Sequence, residues 1–194
     1  LFTMKFYHGA LEFEVPEGVY YPREDSLLLA KTLEKENLAN KRILEIGCGS
    51  GFLSIVMARM GAEVLACDVA DEAVKTTKEN ALANGIKIAC TKSDIFSEIN
   101  GIFDLIVFNP PYLPDESNDK TYSGGKTGRE VIEKFVKQAK KHLEKDGKIL
   151  LLISSLTGEK DVLSIFHAYS FKTKIIERKK VPWEELMVIE ARAH

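Results

Sequence analysis

The 194-residue sequence has little of several things that would indicate particular functions. Its three cysteines form no C-x-x-C pair and its four histidines are far apart, so we predict no protein-bound metal and thiols kept in a reducing cytoplasm. No apolar run reaches the about 18 residues that favour a membrane span, and the first residues lack the apolar segment of a signal peptide. The formal net charge of −2 gives no general basic field for nucleic acid. The absences predict a cytoplasmic protein that works without a metal, a membrane or a nucleic-acid substrate.

The length suits a single domain, which we predict to span residues 1–194. Hydrophobic residues make up 45% of the chain and charged residues 29%, as is usual for a folded globular protein. Residues 1–40 contain a predicted β-element at Met4–Val15 and a predicted helix at Arg23–Glu36 that caps one side of a sheet. Residues 41–194 form the predicted core.

Strand and helix signals alternate along the core, which predicts a parallel sheet with helices on both faces, a doubly wound α/β fold. The last two strands have no helix between them, so we expect an antiparallel pair at one edge. The predicted strands are Arg42–Ile46, Glu63–Cys67, Ile86–Cys90, Phe103–Phe108, Lys148–Ile153, Phe171–Arg178 and Leu186–Ala191. The predicted helices are Phe52–Met60, Asp71–Asn84, Gly128–Leu143 and Glu159–Tyr169.

A glycine-rich turn, in the stretch ILEIGCGSGF, joins the first core strand to the first core helix. Gly47, Gly49 and Gly51 permit a tight turn and let a ligand approach the backbone. Their spacing does not satisfy G-x-G-x-x-G, so a dinucleotide pyrophosphate is not the expected ligand. An acid, Glu45, precedes the turn.

Two further acids follow the next two strands. Asp68 ends the second strand, where a carboxylate can accept both hydroxyls of a ribose. Asp94 follows the third strand, where a carboxylate could meet an adenine amino group. Each could instead be only a helix cap. The carboxyl ends of parallel strands are where open α/β sheets bind ligands, so the acids and the glycine turn together favour a nucleoside-type ligand.

The segment EIGCGSG with Asp68 and Asp94 resembles that of class I S-adenosylmethionine-dependent methyltransferases. The resemblance covers nearly the whole chain and implies a seven-stranded sheet of order 3-2-1-4-5-7-6 with the last strand antiparallel. It implies S-adenosylmethionine as cofactor and S-adenosylhomocysteine as product. It also implies that Glu45 and Gly47 lie near the methionine part, Asp68 at the ribose, and Asp94 with Ile95 at the adenine.

The segment Asn109-Pro110-Pro111-Tyr112 follows the buried strand Phe103–Phe108, and it could be an ordinary turn from a strand into a loop. In the implied sheet, however, Asn109 emerges next to the cofactor's sulfonium. The Asn109 side-chain oxygen and the Pro110 carbonyl can accept two N–H groups from a planar nitrogen, and Tyr112 can stack on it. We therefore predict Asn109, Pro110 and Tyr112 as catalytic residues and all of Asn109, Pro110, Pro111 and Tyr112 as substrate-binding.

Three stretches resemble one family, the HemK-related release-factor glutamine methyltransferases of archaeal and eukaryotic type. The NPPY segment resembles the signature of methyltransferases that act on planar nitrogens, and VYYPREDSLLL and YSGGKTGREVIEKF resemble the family's flanking segments. The resemblance implies that Ser26 touches the cofactor and that Leu113–Gly128 lines the substrate cleft. The predicted cofactor-binding residues are Ser26, Glu45, Gly47, Gly49, Gly51, Asp68, Asp94, Ile95 and Asn109.

The predicted activity is N5-methylation of the glutamine in the Gly-Gly-Gln motif of a class I peptide release factor. The family resemblance also implies a small zinc-binding activator protein as a partner. The alternatives are an adenine-N6 methyltransferase of DNA or RNA, a protein methyltransferase with another target residue, and a cofactor-binding protein that is not an enzyme. A nucleic-acid enzyme would need a basic face and base flipping, against which the net charge of −2 argues.

Overall fold

A mixed seven-stranded sheet with helices on both faces organises the chain, and a separate two-stranded hairpin precedes it. The computed structural model describes residues 2–111 and 128–194. The strands are β1 Thr3–His8, β2 Leu11–Pro16, β3 Arg42–Ile46, β4 Glu63–Asp68, β5 Ala89–Lys92, β6 Phe103–Phe108, β7 Leu143–Ser154, β8 Phe171–Val181 and β9 Glu184–Ala193. The helices are α1 Glu24–Leu33, α2 Phe52–Arg59, α3 Asp71–Ala83, α4 Glu130–Ala139 and α5 Glu159–Ala168.

The strand order of the large sheet is β5-β4-β3-β6-β7-β9-β8. Counted from β3 as the first core strand, this is the expected order 3-2-1-4-5-7-6, which is therefore confirmed. Five neighbouring strands, β5 to β7 in this order, pair in parallel, and β9 pairs antiparallel with both β7 and β8. The order reverses between β3 and β6, so the ends of these two strands form the crevice where such sheets bind ligands.

Two hydrophobic layers bury the two faces of the sheet. One face packs against α4 and α5, with Phe135 and Phe166 fully buried. The other face packs against α1, α2 and the hairpin, with Phe13 and Leu29 fully buried. Because β3 and β6 are covered on both sides, the residues at their carboxyl ends are carried on a rigid support. No helix among the described residues is long and apolar enough to cross a membrane.

Two asparagines, one in α3 and one at its C-terminal cap, hold the hairpin β1–β2. Asn80 accepts the Glu14 backbone N–H at 2.9 Å and donates to the Glu14 carbonyl at 2.9 Å. Asn84, one turn later, accepts the Glu12 N–H at 3.1 Å and donates to the Glu12 carbonyl at 2.7 Å. Asn80 also donates to the carbonyl of Ser50, at 2.8 Å. The hairpin, the helix and the turn before α2 are thereby joined.

One predicted helix ends earlier than expected. Its apolar spacing predicted a helix from Gly128 to Leu143, but α4 ends at Ala139 and a 3₁₀ turn, Lys140–His142, follows. Leu143 already belongs to β7, where it pairs with Phe103 of β6. The reason is that Leu143 is buried by a partner 40 residues away in sequence, which helical spacing alone does not reveal.

One predicted strand is displaced along the chain. The prediction was Ile86–Cys90, and the observed β5 is Ala89–Lys92. The N–H of Ile86 instead donates to the carbonyl of Ala81 at 2.9 Å and closes the end of α3. The other predicted strands and helices are present with ends within three residues of the prediction, except that β7 begins earlier.

Candidate active site

The glycine turn between β3 and α2 depends on left-handed backbone conformations. Gly47, Gly49 and Gly51 have φ of +71°, +52° and +81°. A Cβ on Gly51 would also lie 2.9 Å from the Thr77 side chain, so this position has neither the conformation nor the space for a larger residue. The predicted tight turn is therefore present at the carboxyl end of β3.

Asp68, at the end of β4, holds the glycine turn through its carboxylate. One oxygen accepts the Gly49 N–H at 3.0 Å, and the other accepts the Ala70 N–H at 3.0 Å. Burial raises the pKa of Asp68, and these backbone hydrogen bonds counteract the rise. The carboxylate does not cap α3, because it bonds residues that precede the helix. Each oxygen keeps a further lone pair, which suits a ligand with two hydroxyl donors.

Glu45 lies buried in β3, directly before the turn. It accepts a short hydrogen bond from the Ser54 hydroxyl of α2. Burial raises the pKa of Glu45 to about 8; the Ser54 hydrogen bond opposes the rise and the neighbouring Asp68 adds to it. The side chain is therefore mostly protonated at neutral pH. Its hydrogen bond with Ser54 connects β3 to α2, the helix that follows the glycine turn.

Asn109 stands at the carboxyl end of β6, next to the glycine turn. A Cβ built on Gly47 would lie 3.9 Å from the Asn109 backbone oxygen. The Asn109 side-chain Nδ2 donates to Asp25 Oδ2 at 3.1 Å and lies 3.4 Å from Ser26 Oγ. The other end of the amide, Oδ1, is buried and accepts no hydrogen bond from any of the described residues, 2–111 and 128–194. The structure thus brings the predicted Ser26, Gly47 and Asn109 together.

Two residues of this site were missed in the sequence. Asp25 is buried, and its carboxylate accepts the Tyr20 hydroxyl at 2.7 Å and the Ser26 backbone N–H at 2.6 Å. Tyr20 also lies against the turn, because a Cβ on Gly49 would be 4.0 Å from its Cβ and its carbonyl. The only local signal is the PREDS segment, which reads equally well as the acidic first turn of a helix.

The third predicted acid lies at the end of β5. Asp94 forms an ion pair with Lys134 at 2.7 Å, and both side chains are about half exposed. Ile95 has φ of +58°, a conformation that is rare for a β-branched residue. The preceding Ser93 donates its N–H to the Asp68 backbone carbonyl at 2.9 Å, so this segment neighbours the Asp68 end of the turn.

The predicted substrate side of the site is described only in part. Pro110 is buried and Pro111 is half-buried directly after Asn109. Tyr112 and the predicted cleft loop up to Thr127 lie outside the described residues. In the described ranges, no three histidine, cysteine, aspartate or glutamate side chains cluster so as to hold a metal ion.

Comparisons with known proteins match this chain to methyltransferases. Residues 22–179 match the family described as the methyltransferase small domain. A Methanocaldococcus jannaschii protein, provisionally named a protein N5-glutamine methyltransferase, is 44% identical over 189 residues, which are 93% of this chain and 95% of its own. The release factor glutamine methyltransferase of Streptococcus pneumoniae is 31% identical over 77% of this chain and 59% of its own length.

The chain is also similar to a solved structure and to a second group of relatives. The E. cuniculi Mtq2–Trm112 complex, described as responsible for methylation of the translation termination factor eRF1, includes a chain that superposes with a TM-score of 0.77. That chain is 28% identical, and the match covers 91% of this chain and 99% of that one. Ribosomal RNA small subunit methyltransferase C of Shigella flexneri is 30% identical over 71% of this chain but only 38% of its own length.

Proposed function

This chain belongs to the methyltransferase small domain family and is a methyltransferase, and from that premise we propose that it methylates the side-chain N5 of a glutamine. The proposed substrate is the glutamine of the Gly-Gly-Gln motif of a class I peptide release factor. Support for a glutamine comes from the names of two relatives, and support for a release factor comes from one of them and from the eRF1 complex.

The observation that carries the proposal is the Asn109 side-chain oxygen, which accepts no hydrogen bond within the described part of the chain. A buried acceptor without a donor costs about 1–3 kcal/mol, so an incoming group that supplies the donor is favoured at this position. The Nδ2 end already donates to Asp25, so among the residues that the structure describes Oδ1 is the end of the amide that lacks a partner. A substrate that offers an N–H would satisfy it.

The chemistry requires this kind of partner because an amide nitrogen is a poor nucleophile. Its lone pair is delocalised into the carbonyl, and no ordinary side chain removes its proton. Asn109 Oδ1 accepts one N–H of the glutamine amide and the Pro110 carbonyl accepts the other, which localises the nitrogen lone pair and aims it at the methyl group. Once methylated, the nitrogen would release one of its two protons to solvent, which gives the neutral N-methyl amide. Proline fixes φ and thereby holds the second acceptor. The role proposed for Tyr112, which lies outside the described residues, is to stack on the flat amide. Rate enhancement then comes from orientation and preorganised hydrogen bonds.

The proposed methyl donor is S-adenosylmethionine, whose sulfonium supplies an electrophilic methyl group and which leaves as S-adenosylhomocysteine. The residues present fit such a ligand, because the turn at Gly49 has no side chain and the Asp68 carboxylate retains lone pairs for ribose hydroxyls. Glu45 and Gly47, with Ser26, would lie near the methionine part and Asp94 with Ile95 near the adenine. Gly51 keeps the turn closed against α3.

Two proteins are proposed as partners in the cytoplasm. One is the release factor itself, and the other is a small zinc-binding activator protein, by analogy with the Mtq2–Trm112 complex. The activator requirement is tested by assaying the purified chain alone and with candidate activator protein. Activity that is equal in both would contradict a need for it.

A second candidate activity is methylation of the exocyclic amine of a nucleic-acid base, for example N6 of adenine. The two acceptors of the site would bind such an amine equally well, and the ribosomal RNA methyltransferases are relatives of this chain. The net charge of −2 favours the protein substrate.

The deciding experiment measures transfer of labelled methyl groups to three substrates: a class I release factor, the same factor with its Gly-Gly-Gln glutamine replaced by alanine, and ribosomal RNA. We expect label on the first only, and a fall of at least about 100-fold with Asn109→Ala. Label on the glutamine-free factor would contradict the assigned residue, and label on the RNA alone would favour the second candidate. Near-normal transfer by Asn109→Ala would contradict the mechanism.

A further inference from the structure

The amide of Asn109 can face either way in its site, and only one orientation serves the reaction. We propose that Asp25 is a positioning residue that sets this orientation, with Tyr20 holding Asp25. The inference rests on the proposed function, in which Asn109 Oδ1 must accept a hydrogen bond from the substrate. It concerns a carboxylate 84 residues away in sequence that contacts Asn109 and would act on the substrate through it.

A side-chain amide has nearly the same shape in two orientations. A rotation of 180° exchanges its oxygen acceptor for its NH₂ donor with almost no change of shape. Packing alone therefore selects the orientation weakly. A carboxylate only accepts hydrogen bonds, so Asp25 Oδ2, at 3.1 Å, bonds the nitrogen end and excludes the oxygen end. Oδ1 is consequently turned away from Asp25.

Asp25 can select the orientation because its own position is fixed. Its carboxylate is buried and accepts the Tyr20 hydroxyl, the Ser26 N–H and the Asn109 Nδ2. The Ser26 hydroxyl approaches it as well, at 3.3 Å. The Ser26 backbone N–H can only donate, so it requires an acceptor at position 25, whereas the Tyr20 and Ser26 hydroxyls donate in the observed arrangement. Tyr20 further connects it to the glycine turn at Gly49.

The charge of Asp25 has a second effect on Asn109. A carboxylate bonded to Nδ2 polarises the amide, so electron density on Oδ1 increases, and hydrogen bonds in such a chain strengthen one another. The same contact thus makes Oδ1 a better acceptor for the substrate N–H. Loss of the charge should lower the rate of the methyl-transfer step more than the binding of either substrate.

The first variant is Asp25→Asn, which keeps the size of the side chain. The introduced amide oxygen still accepts the Ser26 N–H, and the introduced NH₂ group then faces the NH₂ group of Asn109. Because two donors cannot bond each other, the Asn109 amide must rotate, and it then presents its NH₂ donor to the substrate. We expect kcat to fall about 100-fold and KM for the methyl donor to stay within about threefold. The matched control is Asp104→Asn, which removes a carboxylate that accepts the Arg42 N–H at the opposite end of β3 and should leave both constants unchanged.

The second variant tests the pairing directly by exchanging the two side chains. Asn109→Asp alone places two carboxylates together and should be nearly inactive. Asp25→Asn/Asn109→Asp restores one donor opposite one acceptor and leaves a carboxylate oxygen free for the substrate N–H. We expect it to be at least tenfold more active than Asn109→Asp. A double variant no better than the single one, or Asp25→Asn with kcat within threefold of wild type, would overturn the proposal.

A measurement without substrate separates this proposal from the proposed function. The side-chain NH₂ resonances of Asn109, assigned by their loss in Asn109→Ala, report the bond to the carboxylate. They should move in Asp25→Asn and stay in Asp104→Asn. Unchanged resonances in Asp25→Asn would refute the positioning role whatever the substrate is. If the Asn109 resonances move in Asp25→Asn but the wild-type protein transfers no methyl group to the release factor, the positioning role of Asp25 is retained and the glutamine assignment is refuted.

Discussion

Replacing Asp68 by asparagine gives the sharpest test of the cofactor end of the site. The change keeps the shape of the side chain but leaves it only one oxygen. At present both oxygens accept backbone N–H groups, from Gly49 and from Ala70, each at 3.0 Å. In Asp68→Asn one of these N–H groups must face an NH₂ group, and the proposed ribose hydroxyls lose a charged acceptor.

The magnitude follows from the number of hydrogen bonds involved. A hydrogen bond to a charged group contributes about 1.5–3 kcal/mol, so loss of one to the ribose lowers affinity for the methyl donor about 10- to 100-fold. The stability of the ligand-free protein should change less. Burial raises the Asp68 pKa, so removal of the charge relieves a desolvation cost that offsets part of the lost hydrogen bond to the turn.

The assay is calorimetric titration with S-adenosylhomocysteine, accompanied by urea denaturation of each protein. The matched control is Asp71→Asn, an exposed aspartate three residues later that forms a surface ion pair with Lys92 at 2.6 Å. We expect wild-type affinity for the control. An Asp68→Asn protein that binds within threefold of wild type, or a control that loses as much affinity, would refute the assignment of Asp68 to the ribose.

Three further predictions concern stability. Folding raises the Glu45 pKa from its ordinary 4.5 to about 8, so the folded protein binds this proton more tightly than the unfolded chain does. The free energy of unfolding should therefore fall as the pH rises between these two values, by up to about 1.4 kcal/mol per pH unit. Glu45→Gln should reduce that slope in urea titrations from pH 5 to 8, and an unchanged slope would contradict the shift. Phe135→Ala should cost about 3–5 kcal/mol in urea denaturation because the ring is fully buried, whereas Phe2→Ala, 71% exposed, should cost under about 0.5 kcal/mol. Asn80→Ala should lower the unfolding free energy by about 1–3 kcal/mol and speed amide exchange in β2, with a smaller effect for Asn84→Ala, whose two bonds to Glu12 are exposed. Equal effects would contradict the difference in burial.

The parts of the molecule that were predictable from sequence are those with a local physical cause. The glycine turn follows from residues that tolerate positive φ, and the strand ending at Phe108 follows from a continuous apolar run. The sheet order followed from the family resemblance. The Asp25–Asn109 contact has no local cause, because each residue has an ordinary interpretation, as a helix start and as a turn, until folding brings them together. Leu143 was misassigned for the same reason, since its partner Phe103 lies on another strand.

The asparagine pair that holds the hairpin has a consequence for how the protein behaves among other proteins. A two-stranded hairpin offers unpaired backbone groups along both sides, and such groups can recruit a strand from another chain and begin aggregation. On the β2 side, the N–H and carbonyl of both Glu12 and Glu14 are taken by Asn84 and Asn80. Two asparagine side chains therefore stand in for a third strand, and they close this side of the hairpin to foreign chains without extending the sheet.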